Sequence, residues 1–202
     1  MDVLIVGAGA VGRWVATVVD GPVAFADADP AVAREAAAER PDATTVALDG
    51  GETYAMLCVA VPMRAATDVV EAQAHRATDA LVDVTGSMRE PLETMAAVAP
   101  DRERVSYHPL FAPEHAPGRV AVSTGEAGST TDAFEAALEE AGNDLVRVGA
   151  ADHDEAMRTI QGRTHAAILA FGLAADDVPA DLATPVYEDL LALRDRVTGG
   201  TS

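Results

Sequence analysis

The stretch Gly7-Ala8-Gly9-Ala10-Val11-Gly12 falls directly between a β-branched run, Val3 to Val6, and a helical pattern that reaches about Val19. Few chain paths satisfy that order. A strand must end, the backbone must reverse within a few residues, and a helix must start close enough to pack on the strand it has just left. Glycine at the first, third and sixth positions meets those needs in turn. Gly7 permits the tight turn, Gly9 lets a ligand approach the backbone, and Gly12 lets helix and strand touch. The amides of Ala10 and Val11 and the positive end of the helix dipole then converge on one spot, which suits a pyrophosphate.

Beyond this turn the chain keeps the same alternation of short apolar runs and helical patterns, the mark of βαβ units and a parallel sheet. Strands are predicted at Val23 to Ala26, Thr44 to Leu48, Tyr54 to Val61, Ala80 to Val84 and Val105 to Tyr107, with helices over Pro30 to Glu39, Arg64 to His75 and Pro91 to Val98. Further on, Arg119 to Ser123 and Leu145 to Val148 read as strands flanking a helix near Thr131 to Ala141. After Gly149 the pattern becomes purely helical. One long helix is expected from Asp152 to about Ala175, and a shorter one has Thr184 as N-cap, Pro185 at N1 and the apolar stripe Val186, Leu190, Leu193 and Val197. The fold class is therefore α/β, a Rossmann-type doubly wound, mostly parallel sheet over residues 1–150, with a short all-helical C-terminal region over residues 151–202.

Charge narrows the partners. The 202 residues carry 33 acidic and 14 basic side chains, a net charge of −19, and every basic residue is arginine. Such a surface repels nucleic acid and anionic membranes. Acid excess without lysine is the composition expected in a very salty cytoplasm, where screening over about 3 Å at 1 M salt makes the charge tolerable; a halophilic archaeal source is the expectation. A GC-rich genome would push composition the same way. The 49% hydrophobic content is ample for a core, the longest strongly apolar stretch is about half a bilayer span, and the single Cys58 cannot form an internal disulfide. With no basic region before the first apolar run, a secretory signal is not expected, and the chain reads as cytoplasmic.

Asp27 ends the predicted second strand, 27 − 7 = 20 residues beyond Gly7, the separation of a carboxylate that accepts hydrogen bonds from an adenosine ribose. This favours NAD, since a 2′-phosphate would meet Asp27 and Asp29 with no arginine immediately beside them. Asp27 can also cap the helix that starts at Pro30. Val61-Pro62 closes the fourth predicted strand at the edge where ligands sit, on the expected nicotinamide side. Ser87, followed by Glu90, fits either a capping box or a substrate contact. His108 follows the Val105 to Tyr107 strand at the same edge, where an imidazole suits catalysis. In the long helix, His153, Met157, Gln161 and His165 recur every four residues. Gln161 and His165 can meet one ligand. His153 lies about 18 Å from His165 along the axis, too far for the two to grip one small molecule directly; it is a candidate substrate contact in its own right and equally suited to capping the helix. No tight cluster of metal ligands accompanies these histidines.

In their order, the glycine turn, Val61-Pro62, Gly86-Ser87-Met88-Arg89, His108-Pro109-Leu110-Phe111, His153-Asp154-Glu155-Ala156-Met157, Gln161 with His165, and Thr184-Pro185-Val186-Tyr187 leading to Arg196 resemble the prephenate dehydrogenase family of tyrosine biosynthesis. The resemblance implies NAD-dependent oxidative decarboxylation of prephenate to 4-hydroxyphenylpyruvate. It further implies that His108 is the proton acceptor, that Ser87 holds the substrate hydroxyl, that Gln161 and His165 contact the substrate, and that Arg196, or Arg194 two residues earlier, grips the ring carboxylate. Arg89 stands where many relatives carry lysine. The helical region is shorter than the family's, so a homodimer through the C-terminal helices is expected to complete the site. Arogenate is the alternative substrate, and a non-catalytic NAD-binding regulator the alternative outside enzymes.

Overall fold

The computed structural model describes residues 1–175 and 182–199, except for the side chains of residues 161 and 196–199. Two compact units divide the chain, Met1–His153 and Asp154–Ser202.

The first unit is built on one eight-stranded sheet. Its strands are β1 (Val3–Val6), β2 (Val23–Ala26), β3 (Ala43–Thr45), β4 (Tyr54–Val59), β5 (Ala77–Asp83), β6 (Glu103–Pro109), β7 (Arg119–Glu126) and β8 (Asp144–Arg147). Their order across the sheet is β3-β2-β1-β4-β5-β6-β7-β8, and only the β6–β7 pair is antiparallel. The doubly wound reading therefore holds. Chain order reverses between β1 and β4, and a crevice at the carboxyl ends of the strands opens at such a switch point.

Helices α1 (Ala10–Val18), α2 (Pro30–Ala38), α3 (Met63–Gln73), α4 (Arg89–Val98) and α5 (Ser129–Glu140) cover the sheet. Every residue of β1 and β2 is buried, as expected of central strands covered on both faces. Alternation divides their side chains between two cores: Val3, Ile5, Val23 and Phe25 pack with Trp14 and Val15 of α1, and Leu4, Val6 and Ala24 pack with Val70 of α3 and Met95 of α4. Each such aliphatic side chain contributes about 1.5–3 kcal/mol when fully buried. β3 is shorter than the predicted strand to Leu48. The Val46 amide still donates to the Phe25 carbonyl of β2 at 2.9 Å; beyond it Arg76, fully buried, donates from Nη1 to the Ala47 carbonyl (3.1 Å) and from Nε to that of Glu52 (3.0 Å).

The second unit contains the end of α6 (Ala150–Met157), a π-helical segment over Arg158–Arg163, α7 (Thr164–Ala174) and α8 (Pro185–Gly199). The sequence pattern predicts a single helix from Asp152 to about Ala175. The structure instead inserts a wider, i→i+5 bonded stretch at its centre, so the four-residue spacing of His153, Met157, Gln161 and His165 does not carry one straight face through it. The predicted start of the last helix holds: Thr184 Oγ1 accepts from the Tyr187 amide at 3.4 Å and its carbonyl from the Glu188 amide at 3.0 Å. Helices α7 and α8 meet edge to face through Phe171 and Tyr187, with ring centroids 5.6 Å apart. Leu190 and Leu193 are half-buried, whereas Val186 is 69% exposed.

Candidate active site

The glycine turn adopts the conformation its sequence requires. Gly7 has φ +103°, and a Cβ there would strike the Ala60 carbonyl. At Gly12 a Cβ would strike the Gly7 carbonyl; helix and strand can lie this close only because neither carries one. Gly9 differs. It faces open space, with nothing within 4 Å of a Cβ built on it, and α1 starts just after it with no side-chain cap. The first helical bond runs from the Arg13 amide to the Gly9 carbonyl at 3.0 Å, so the amides of Ala10, Val11 and Gly12 have no acceptor within the helix. That is the cradle a pyrophosphate fits.

Asp27 closes the turn from the neighbouring strand. Its Oδ2 accepts from the Ala8 amide at 2.8 Å and its Oδ1 from the Asp29 amide at 2.9 Å. The helix cap is Asp29, which accepts from Ala31 at 2.8 Å ahead of Pro30. Asp27 therefore orders the glycine turn, and the capping role falls to its neighbour. Gly7, Gly9, Asp27, Val61 and Pro62 line a single cleft of about 320 Å³, completed by apolar side chains including Val32, Leu48 and Val69. An adjoining hollow of about 400 Å³ shares Asp27 and Leu48 and adds Arg34. An arginine thus does stand near Asp27, contributed by the next helix.

The wall at Leu48 depends on residues with no evident role in the sequence. Gln73 donates to the Leu48 carbonyl at 2.9 Å, and Arg76, already bonded to the Ala47 and Glu52 carbonyls, adds Gln73 Oε1 and Glu52 Oε2, both at 3.1 Å. A buried guanidinium with this many acceptors ties the loop between β3 and β4 to the end of α3. Its only sequence signal is a helix-terminal arginine, which ordinarily reads as solvated.

Ser87 follows β5, and His108 is the penultimate residue of β6, at the same edge of the sheet. The capping-box reading of Ser87 is overturned, because α4 begins at Arg89 with Met88 in the cap position and no side-chain cap. The turn is shaped instead by buried Asp83, whose Oδ1 accepts from the Thr85 amide at 3.0 Å. The Thr85 hydroxyl lies 2.7 Å from that oxygen and 3.0 Å from the Ser87 carbonyl. In β6, Tyr107 turns into the core against Phe134, with centroids 5.2 Å apart and its hydroxyl 3.3 Å from Glu135. Burial and the Glu135 carboxylate push that phenol far above its ordinary range. His108, the next residue, faces the other way and is half-buried. Phe111 packs edge-on against Trp14 of α1 at 5.4 Å, tying the chain after His108 to the helix of the glycine turn.

The partner of His108 is His153. Nδ1 of His108 and Nε2 of His153 are 2.9 Å apart, with the rings at 84°. His153 lies inside α6, 3% exposed, its amide bonded to the Gly149 carbonyl at 2.9 Å, so it does not cap the helix. Within the second unit, His165 is exposed. Arg194 pairs with Asp195 at 2.6 Å and lies over Gly172, where a Cβ would come within 2.6 Å of Arg194 Cδ. The side chains of Gln161 and Arg196 lie outside the described residues. Among the described residues no group of three or more His, Cys, Asp or Glu could hold a metal ion, and no helix is long and apolar enough to cross a membrane.

No family model matches the chain. The 4-amino-4-deoxyprephenate dehydrogenase of Streptomyces pristinaespiralis is 33% identical over an alignment of 216 residues, spanning 98% of this chain and 73% of that protein. The T-protein of Enterobacter agglomerans is 30% identical over 167 residues, 78% of this chain and 43% of the T-protein. Among solved structures, the prephenate dehydrogenase of A. aeolicus in complex with hydroxyphenyl propionate and NAD+ superimposes with a TM-score of 0.75 at 15% identity, over 96% of this chain and 77% of that one. Synechocystis arogenate dehydrogenase superimposes with a TM-score of 0.67 at 16% identity, over 96% and 79%. At these identities the superpositions speak to the fold.

Proposed function

We propose that this chain, which belongs to the prephenate/arogenate dehydrogenase family, uses NAD to convert prephenate to 4-hydroxyphenylpyruvate and carbon dioxide. The observation that carries the proposal is the shared sheet edge. The glycine turn follows β1 and is clasped by Asp27, which follows β2, and His108 lies one residue before the end of β6 at the same carboxyl side.

Bound NAD would supply a hydride acceptor for the ring carbon that bears the hydroxyl. Gly7, Gly9, Ala10, Val11 and Gly12 would hold its pyrophosphate and Asp27 its adenosine ribose, with Val61 and Pro62 forming the wall of the cleft. His108 takes the hydroxyl proton as the hydride leaves, which brings the substrate to a ring ketone. Loss of the ring carboxylate as carbon dioxide then drives its bonding electrons into the ring, and His108 returns the same proton to the oxygen as the phenol forms. The sum consumes one hydride acceptor and releases no net proton. A positioned acid–base group of this kind is worth roughly 10²- to 10⁴-fold.

Ser87 would hold the hydroxyl in register with His108. In a chain of net charge −19, a dianionic substrate needs cations placed at the site. Arg196 would take the ring carboxylate, supported by the commitment of Arg194 to Asp195 and to the surface of Gly172. Gln161 and His165 would contact the rest of the substrate. Asp27 favours NAD over NADP. A second copy of the chain would cover apolar side chains of the helical unit such as Leu173, 90% exposed, and Val186; sedimentation at activity-assay concentrations tests this, with a fully active monomer refuting it. A cytoplasmic setting accords with the lone cysteine, Cys58, which is fully buried and whose thiol desolvation pushes well above its ordinary range.

A second reading has its own observation. The similarity to a 4-amino-4-deoxyprephenate dehydrogenase supports a substrate with nitrogen in place of the ring hydroxyl; arogenate, with its amine on the side chain, is the other nitrogen-bearing candidate. Turnover of prephenate, arogenate and 4-amino-4-deoxyprephenate, followed as NADH formed, separates these substrates. Absence of turnover with all three would leave the NAD-binding regulator.

A further inference from the structure

The two histidines at the sheet edge constrain each other. An N···N distance of 2.9 Å is a hydrogen bond only if one nitrogen carries a proton and the other presents a lone pair. His108 and His153 therefore cannot choose their tautomers independently. His153 is almost completely buried and its helix backbone is anchored at Gly149, whereas His108 is half-buried on the strand that reaches the candidate site.

We propose that His153 is a positioning residue: its Nε2 accepts the Nδ1–H of His108, so that His108 turns the lone pair of Nε2 toward substrate. The proposal rests on the reading of His108 as the proton acceptor. A neutral imidazole has two tautomers, and only the one protonated at Nδ1 is a base at Nε2. The bond selects that tautomer and fixes the ring. It also persists through the reaction: when Nε2 takes the hydroxyl proton, Nδ1–H still donates to His153, now from a cation and more strongly. No ring flip or second proton transfer is needed before the proton is handed back.

An imidazole suits this position better than the carboxylate that orients many catalytic histidines. A buried carboxylate would add negative charge beside a site that must admit a dianion, in a protein already at −19. His153 supplies an acceptor with no charge. It carries its own proton at Nδ1, the same tautomer as His108.

The test uses the full chain and two kinds of measurement. Nitrogen-15 NMR of the histidine rings, made without substrate, should show His108 of the unmodified protein protonated at Nδ1, and His153→Leu should shift that ring toward a mixture of tautomers. In turnover, His153→Leu should lower kcat by about tenfold or more with less than about a threefold change in KM or in NAD affinity, while His153→Gln, whose side-chain oxygen can accept from Nδ1–H, should recover most of the loss. The proposal is overturned if His108 of the unmodified protein carries its proton on Nε2, if Gln and Leu are equally impaired, or if His153→Leu raises KM at constant kcat, the mark of a direct substrate contact. Should none of the proposed substrates turn over, the NMR result still decides the pairing, so a failure of the assigned reaction is distinguishable from a failure of this inference.

Discussion

The Asp27 carboxylate accepts the backbone N–H of Ala8 at 2.8 Å, so the acid that ends β2 clasps the glycine turn that ends β1. One side chain thereby ties the shape of the turn to the choice of nucleotide. Asp27→Ala removes a charged acceptor from two amides, each such bond being worth about 1.5–3 kcal/mol. It also removes a negative charge from the hollow that exposed Arg34 lines. The expected outcome is NAD binding weakened by about tenfold or more and a raised NADP-to-NAD ratio of kcat/KM. An unchanged ratio would show that Asp27 does not select the nucleotide.

Gly9 and Gly12 separate ligand binding from folding. A methyl group at Gly9 meets no protein atom within 4 Å, whereas one at Gly12 strikes the Gly7 carbonyl. Gly9→Ala should keep the melting temperature within a degree or two of wild type yet weaken NAD binding by about tenfold, roughly 1.4 kcal/mol. Gly12→Ala should lose about 1–3 kcal/mol of stability from overpacking. Paired thermal melts and NAD titrations check both. Full NAD affinity in Gly9→Ala would mean that the turn is not a pyrophosphate site.

His108→Asn removes the proton acceptor while leaving the cleft lined by Asp27 and Val61 intact. Turnover should fall by about 10²-fold or more with little change in NAD affinity. Stopped-flow turnover and NAD titration measure the two quantities, and wild-type turnover would remove His108 from the mechanism.

The two arginines of α8 should behave differently. Arg194 is engaged by Asp195 and packed over Gly172, so Arg194→Gln is expected to alter KM for substrate by less than about threefold. Arg196→Gln should raise it by about 10-fold or more, the scale of losing a charge-assisted carboxylate contact. The reverse pattern in steady-state kinetics would assign the clamp to Arg194.

Much of the fold is legible in the sequence because its determinants are local. The β1–turn–α1 unit is written in consecutive residues, and Asp29-Pro30 and Thr184-Pro185 mark their helix starts within a turn. Tertiary contacts are not legible in this way. His108 and His153 are 45 residues apart in sequence, and no spacing rule links a strand end to a helix beyond two further strands; the four-residue spacing instead sets His153 on one helix face with His165, along an axis that the π-helical segment interrupts. Arg76 resembles a solvated helix end because nothing nearby in sequence announces the Ala47 and Glu52 carbonyls it binds. The Ser87–Glu90 pattern suits a capping box, but the Asp83–Thr85 hydrogen bonds shape the turn and α4 starts at Arg89 instead.

The most direct test of the account is the stoichiometry of NADH and carbon dioxide after prephenate is added to the purified protein with NAD, across a range of KCl concentrations. Equal amounts of both, lost together in His108→Asn, are the predicted result. NAD binding without NADH formation from prephenate, arogenate or 4-amino-4-deoxyprephenate at any salt concentration would contradict it.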